Sequence, residues 1–257
     1  MCVCVEMTQE TITAFFKSVT ATNSEYVVSS SSCLTLKALA LFDPYRSSLR
    51  SWRAQSTEHL SEYVTDESIL GSDDRMRRLV REYKGNVDVV LAFPPCTDLC
   101  MAGARWWKKK REQRPNFQKD AVEELKRLHW ALNEIGSPFA LVLPCSGHIV
   151  RQFPGSFKTS PHEFGGWLNK HDEHPLFPLT VPKQDAYSKR TIVFVGNGMR
   201  FPKRIPVTPV WVEKVLKTGK IKRFSPIMAH RKKREARRCT PFGLCRALLE
   251  RYRSMQL

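Results

Sequence analysis

The sequence predicts an α/β fold with a mostly parallel sheet and flanking helices, and two features of the chain support this class. Short apolar runs are typical of buried strands, and segments with helical spacing of apolar residues lie between them. Prolines end two of the runs, because proline cannot continue a hydrogen-bonded ladder. Parallel sheets bind ligands at the carboxyl ends of their strands, so we expect a site in the loops that follow these runs.

The predicted strands differ in how clearly the sequence marks them. The strongest, 87–93, reads Val-Asp-Val-Val-Leu-Ala-Phe and stops at Pro94-Pro95. The run 36–42 ends in a turn at Asp43-Pro44 and is predicted to open the sheet. Further strands are predicted at 60–64, 139–143 and 191–195.

The clearest predicted helix is 117–135, where Val122, Leu125, Leu128 and Leu132 recur at helical spacing before Gly136. Other helices are predicted at 45–57, 74–83 and 242–252.

These elements suggest four regions. We expect 1–33 to be an arm, poorly ordered or separately packed, and 34–195 to be the core. Residues 196–240, basic and rich in proline, are predicted to be irregular and to contact nucleic acid, and 241–257 to form a helix that returns to the core.

The charge balance indicates a polyanionic partner. The 257 residues include 42 Lys plus Arg and 25 Asp plus Glu, a formal net charge of +17, and 42% are hydrophobic, enough for a sizeable core. Nucleic acid is the first partner to expect. DNA and RNA both stay open at this point.

Cysteine usage and hydropathy indicate an intracellular protein of the cytoplasm or nucleus. The eight cysteines include no paired CxxC motifs, and no apolar stretch approaches the length of a membrane span or a signal peptide. His171 and His174 lack the spacing of a zinc site, so no metal is predicted. The sequence does not indicate an oligomeric state.

Cys96 lies in the loop after the strongest strand, where Pro94 and Pro95 restrict the turn that presents it. A thiol in such a loop can act as a nucleophile if a nearby charge, such as Arg105, or the dipole of a following helix lowers its pKa. The alternative is a small buried apolar side chain.

Two basic segments are candidate nucleic-acid contacts. The first places two indoles among five positive charges, a mixture suited to stacking bases and binding phosphates, and the second, 217–238, is a strongly basic run. Solvated basic surfaces are the alternative for both. The candidate contacts are Arg105, Trp106, Trp107, Lys108, Lys109, Lys110 and Arg111 in the first and Arg231, Lys232 and Lys233 in the second.

Several short blocks follow one another in a fixed order. The first is Pro94-Pro95-Cys96-Thr97-Asp98 with Gly103-Ala104-Arg105-Trp106-Trp107, and the later blocks are PHEFG at 161–165, YSKRT at 187–191, PVTPV at 206–210 and TPFG at 240–243. Together they resemble the DNA cytosine-5 methyltransferases, in particular the short phage-type members, over roughly residues 36–252.

The resemblance implies a Rossmann-like methyltransferase fold that binds S-adenosylmethionine and DNA. It implies that Cys96 attacks carbon 6 of a flipped cytosine, so that carbon 5 can accept a methyl group, and that Arg105 contacts the base or a phosphate. The cofactor would lie beside Phe42, Asp43 and Pro94, and Asp66 is the candidate acid for its ribose.

Two positions depart from the family's pattern. The turn after the first strand contains no glycine from Leu41 to Ser48, and Leu143-Pro144-Cys145 stands where the family has Glu-Asn-Pro. The missing acid protonates the base ring, and Asp98 or Glu163 is its candidate replacement. A binding protein without turnover, or an enzyme that modifies another pyrimidine or RNA, are therefore the alternatives.

Overall fold

A computed structural model describes residues 36–43, 60–174, 176–216, 218–229 and 234–256, and its centre is a six-stranded sheet. The strand order is β2-β1-β3-β4-β6-β5. Pairs β2/β1, β1/β3 and β3/β4 are parallel, while β6 runs antiparallel to both β4 and β5. The strands are β1 (Lys37–Leu41), β2 (Leu60–Val64), β3 (Val89–Ala92), β4 (Phe139–Pro144), β5 (Phe157–Thr159) and β6 (Thr191–Gly196).

Seven α-helices accompany the strands in the described ranges. They are α1 (Asp73–Tyr83), α2 (Trp107–Gln113), α3 (Phe117–Ile135), α4 (Gly147–Gln152), α5 (Pro226–Ala229), α6 (Arg234–Arg238) and α7 (Phe242–Arg253). Short 3-10 helices span Glu67–Gly71, Met101–Trp106 and Pro161–Trp167, and a tight turn spans Lys183–Asp185.

The prediction of an α/β fold with a mostly parallel sheet is confirmed. All five predicted strands and the helices predicted at 74–83, 117–135 and 242–252 are confirmed to within two residues at each end. The helix predicted at 45–57 and the arm at 1–33 lie outside the described residues.

The central strands β1, β3 and β4 are buried on both faces, which explains why they read as nearly continuous apolar runs. On one face, Leu39 of β1 and Val90 of β3 pack with buried residues of α1 and α3. On the other face, Ala40 of β1 and Leu91 of β3 pack with α7. The helix α3 ends at Gly136, whose φ of 85° is the left-handed conformation that glycine adopts readily.

The expectation of an irregular region at 196–240 is wrong in part. The strands β7 (Val212–Val215) and β8 (Ile221–Phe224) form an antiparallel hairpin, separate from the main sheet, around Gly219 with φ of 76°. The short β5 was also not predicted. These strands are short and the hairpin is largely exposed, so neither carries the apolar run that marks the central strands.

In the described parts of the chain, none of the helices combines the length and the apolar character that crossing a bilayer requires.

Candidate active site at the carboxyl end of β3

The site is built around the loop that follows β3. Strand order changes direction between β1 and β3, since β2 lies on one side of this pair and β4 on the other. Phe93 N donates to Leu41 O at 2.9 Å, so β1 and β3 stay side by side to their ends. Ligands of open α/β sheets bind at such a switch point, and Cys96 lies just beyond it.

A tight turn presents Cys96. Leu99 N and Cys100 N both donate to Cys96 O, at 3.0 and 2.9 Å. The Cys96 thiol is half-buried and shares a hydrogen bond with the Cys100 thiol.

The 3-10 helix Met101–Trp106 holds this turn from its other side. Gly103 N donates to Cys100 O at 2.9 Å. A Cβ atom on Gly103 would overlap the carbonyl oxygen of Thr97, so only glycine fits at this contact. The two halves of the first sequence block are thus packed together by a backbone contact.

The electrostatics of Cys96 differ from the sequence-based expectation. The hydrogen bond with Cys100 and then burial raise the pKa of the Cys96 thiol well above its usual value. Lys189 and Arg238 are the cations that lower it. Arg105, the cation expected from the sequence, is exposed and lies over the Trp106 ring at 5.0 Å.

Lys189 lies near Cys96 because β6 runs antiparallel to β4. Thr191, the first residue of β6, pairs with Pro144, the last residue of β4, so the segment before β6 reaches the carboxyl end of the sheet. Lys189 Nζ donates to Arg237 O at 3.0 Å. Burial lowers the pKa of Lys189, and the nearby Cys96 acts in the opposite direction.

Asp185 lies deeper, next to Lys189. Its buried carboxylate accepts a hydrogen bond from Gly243 N at 2.8 Å and another from Phe242 N, at the start of α7. Burial raises the pKa of Asp185 to about 7, although these hydrogen bonds and Lys189 oppose the shift. Asp185 also has a left-handed φ of 49°, an uncommon conformation that marks a constrained turn.

The later sequence blocks meet around this turn. His162 of the PHEFG block donates through its backbone N to Tyr187 O at 3.3 Å and accepts through its backbone O from Val207 N at 2.9 Å. Val210 N, at the end of the PVTPV block, donates to Ala186 O at 2.8 Å. A Cβ atom on Gly243 would overlap the carbonyl oxygen of Phe164, so α7 and the 3-10 helix Pro161–Trp167 are in backbone contact. The blocks therefore form one packed unit, with Lys189 at its Cys96 side.

The predicted cofactor residues lie at the neighbouring strand ends. Phe42 and Asp43 follow β1 and are buried, and Phe42 has a left-handed φ of 59°. Asp66 follows β2, is exposed, accepts from Ser68 N at 2.9 Å and lies 3.5 Å from Arg75. Pro94 is buried directly after β3.

The end of β4 carries no acid, and both candidate replacements are engaged elsewhere. Asp98 forms an ion pair with Lys110. Glu163 pairs with Arg204 at 2.6 Å and accepts from Thr159 at 3.0 Å. At the end of β4 itself, Cys145 N donates to Arg190 O at 3.1 Å.

The first basic segment forms an exposed surface next to the Cys96 turn. Trp106 is 50% exposed, whereas the indole nitrogen of Trp107 is buried without a hydrogen-bond partner among the described residues. Lys110 is held by Asp98, while Lys108, Lys109 and Arg111 are exposed on α2. Arg231, Lys232 and Lys233 lie outside the described residues.

Of the two histidines His171 and His174, the second has a structural role. His174 is buried, stacks on Phe242 at 4.8 Å and accepts through Nδ1 from Leu176 N and Phe177 N. Burial lowers its pKa to about 4. Across 36–43 and the other described ranges, no three potential ligands among His, Cys, Asp and Glu cluster as a metal site would need.

Sequence reasoning did not single out Cys100, Lys189, Asp185 or Arg238. Lys189 belongs to one of the quoted blocks, but its closeness to Cys96 depends on the antiparallel placement of β6. Comparison with known proteins adds no further residues, because no protein-family model matches the chain and no curated protein matches it significantly.

Proposed function

We propose that this chain is an S-adenosylmethionine-dependent DNA cytosine-5 methyltransferase with a Rossmann-like methyltransferase fold and Cys96 as its nucleophile. The observation that carries the proposal is the meeting of Cys96 and Lys189 at the carboxyl end of β3, beside the switch point of the sheet. Cations near a half-buried thiol favour its thiolate, the form that acts as a nucleophile.

The proposed reaction begins at the sulfur of Cys96. Lys189 and Arg238 stabilise its thiolate, which opposes the effects of burial and of Cys100. The thiolate adds to carbon 6 of an extruded cytosine, and carbon 5 becomes nucleophilic enough to accept a methyl group. Loss of the proton on carbon 5 and departure of the Cys96 thiolate then restore the aromatic ring.

The strand ends beside Cys96 fit the cofactor. Phe42 adopts a left-handed φ of 59° directly after β1, so the backbone turns sharply at the end of this strand. Asp66 follows β2, the neighbour of β1, and its exposed carboxylate suits the hydroxyls of a ribose. When bound there, S-adenosylmethionine supplies the methyl group.

DNA as the substrate is supported by two exposed basic surfaces. The first is α2 with Trp106, which offers an indole face and several cations next to the Cys96 turn. The second is the β7/β8 hairpin, where Lys214 and Lys222 lie opposite each other in register. Two cations side by side on an exposed ribbon suit contacts to a phosphate backbone.

A covalent trap tests the proposal. A DNA duplex containing 5-fluorocytosine cannot lose its carbon-5 substituent as a proton, so the chain and S-adenosylmethionine should form an adduct that survives denaturing electrophoresis. The variant Cys96→Ser should form none, and the control Cys145→Ser should form as much as the unmodified chain. An adduct that persists in Cys96→Ser would refute the assignment of the nucleophile.

A nucleic-acid-binding protein without turnover is the second candidate. Two observations favour it: the raised pKa of Cys96 and the absence of an acid at the end of β4, where Asp98 and Glu163 are both in ion pairs. Calorimetry separates the candidates. Micromolar binding of S-adenosylmethionine supports the enzyme. The binding protein is supported if the cofactor does not bind at millimolar concentration, with or without DNA, and if Cys96→Ser still binds DNA.

A further inference from the structure

Two thiols share the turn at the centre of the candidate site. Cys100 N donates to Cys96 O at 2.9 Å, so the residues are one helical turn apart. Four residues of helical rise separate Cα atoms by about 6 Å, within the range that disulfides span. The two thiols already share a hydrogen bond, which shows that their side chains point toward each other.

Positive charge lies close to the pair. Both cysteines are half-buried, so a small reagent can reach them. The charges of Lys189 and Arg238 favour the thiolate of Cys96, although burial and Cys100 oppose it, and the charge of Lys189 also acts on Cys100. The contact of Gly103 with Thr97 holds the turn from the other side and keeps the two cysteines on one short, fixed segment.

We propose that Cys96 and Cys100 form a reversible disulfide through exchange with a small disulfide of the glutathione type. The thiolate of one cysteine attacks the reagent, forms a mixed disulfide and releases one reduced thiol. The thiolate of the other cysteine then attacks the protein sulfur of the mixed disulfide and releases the second reduced thiol. Two protein thiols are thus oxidised, one small disulfide is reduced, and the thiol protons pass to the two departing thiolates.

The consequence for activity rests on the proposed function, since the disulfide occupies the sulfur that would attack cytosine. Oxidation would then switch off methyl transfer, and a dithiol reductant would restore it. The disulfide itself is independent of that function and can be detected without DNA or cofactor.

Peptide mapping tests the proposal directly. Trypsin releases residues 85–105 as one peptide, which contains Cys96 and Cys100 and no other cysteine. After the full chain is incubated with oxidised glutathione and its free thiols are blocked, this peptide should be about 2 Da lighter than its reduced form and carry no blocking group. Dithiothreitol should return both thiols.

Two variants complete the test. Cys100→Ser should stop at a glutathione adduct on Cys96, whereas the control Cys145→Ser should form the disulfide as the unmodified chain does. The proposal would be overturned if peptide 85–105 stays reduced, keeps glutathione on Cys96 in the unmodified chain, or is linked to a cysteine outside this peptide. A disulfide without any covalent DNA trap would refute the proposed function alone, and the trap without the disulfide would refute this inference alone.

Discussion

Asp185 combines three constraints in one side chain. It is buried, it has a left-handed backbone conformation, and its carboxylate accepts hydrogen bonds from the first residues of α7. The helix has no side-chain cap of its own, because Pro241 precedes it. Asp185 therefore caps α7 from a distant segment, and burial makes its carboxyl group titrate near neutral pH.

This titration predicts a pH dependence of stability. The pKa of Asp185 is about 7 in the folded chain, above its ordinary value of 3.8. Between these values the folded chain holds a proton that the unfolded chain has released, so Asp185 lowers the free energy of unfolding as the pH rises from about 4 to 7.

Asp185→Asn replaces the titrating carboxyl group with an amide, which keeps a side-chain oxygen that can accept a hydrogen bond from Gly243 N. We expect the free energy of unfolding of the variant, relative to that of the unmodified chain, to increase by more than about 1 kcal/mol when the pH is raised from 5 to 8. Urea denaturation at both pH values measures the difference, in which other titrating groups such as His174 cancel. A difference that does not change with pH would show that Asp185 is already ionised at pH 5.

At the scale of elements, the candidate site depends on how short segments pack at the ends of strands. The Cys96 turn and the 3-10 helix Met101–Trp106 touch through Gly103, and the later blocks touch through Gly243. Neither contact buries a large side chain, but each fixes the distance between two backbones. The position of Cys96 relative to Lys189 is therefore sensitive to these glycines.

Gly103→Ala tests this sensitivity. The added methyl group meets the carbonyl oxygen of Thr97, so the turn must shift, and we expect a loss of roughly 1–3 kcal/mol in the free energy of unfolding. Gly71→Ala is the matched control, since no atom lies near its Cβ position, and it should change stability by less than about 0.5 kcal/mol. Equal stability of both variants in urea would show that the turn moves freely.

At the scale of the whole molecule, the positive charge favours an anionic partner. The net charge of +17 and the exposed cations on α2 and the β7/β8 hairpin favour phosphate contacts. The hairpin also exposes Val215 and Ile221, at 71% and 66%, as a cross-strand pair. An isolated two-stranded ribbon of this kind gains stability when it docks on a partner.

DNA binding should therefore weaken steeply with salt. Raising the salt concentration from 50 to 200 mM should reduce the affinity for a duplex by roughly a hundredfold or more, as fluorescence anisotropy can measure. Lys222→Gln should lower the slope of log affinity against log salt by about one, whereas Lys170→Gln, outside both surfaces, should leave it unchanged. Affinity that is insensitive to salt would count against phosphate contacts.

The sequence predicted the sheet better than the site. Strands buried on both faces and the amphipathic α3 have local patterns, so they could be located to within two residues. The charged strands β7 and β8 have no such pattern. Lys189 and Cys96 come together only because β6 is antiparallel to β4, and strand direction is not written in the residues of β6 themselves.

The position of α7 has a consequence for how the chain folds. This helix packs on one face of β1 and β3, together with residues such as Phe164 and Met199, although it follows every strand of the sheet along the chain. During synthesis part of this apolar face stays uncovered until α7 has left the ribosome. The sheet therefore reaches its final stability only in the last step of folding, and removal of 242–253 would leave an aggregation-prone surface instead of a smaller stable domain.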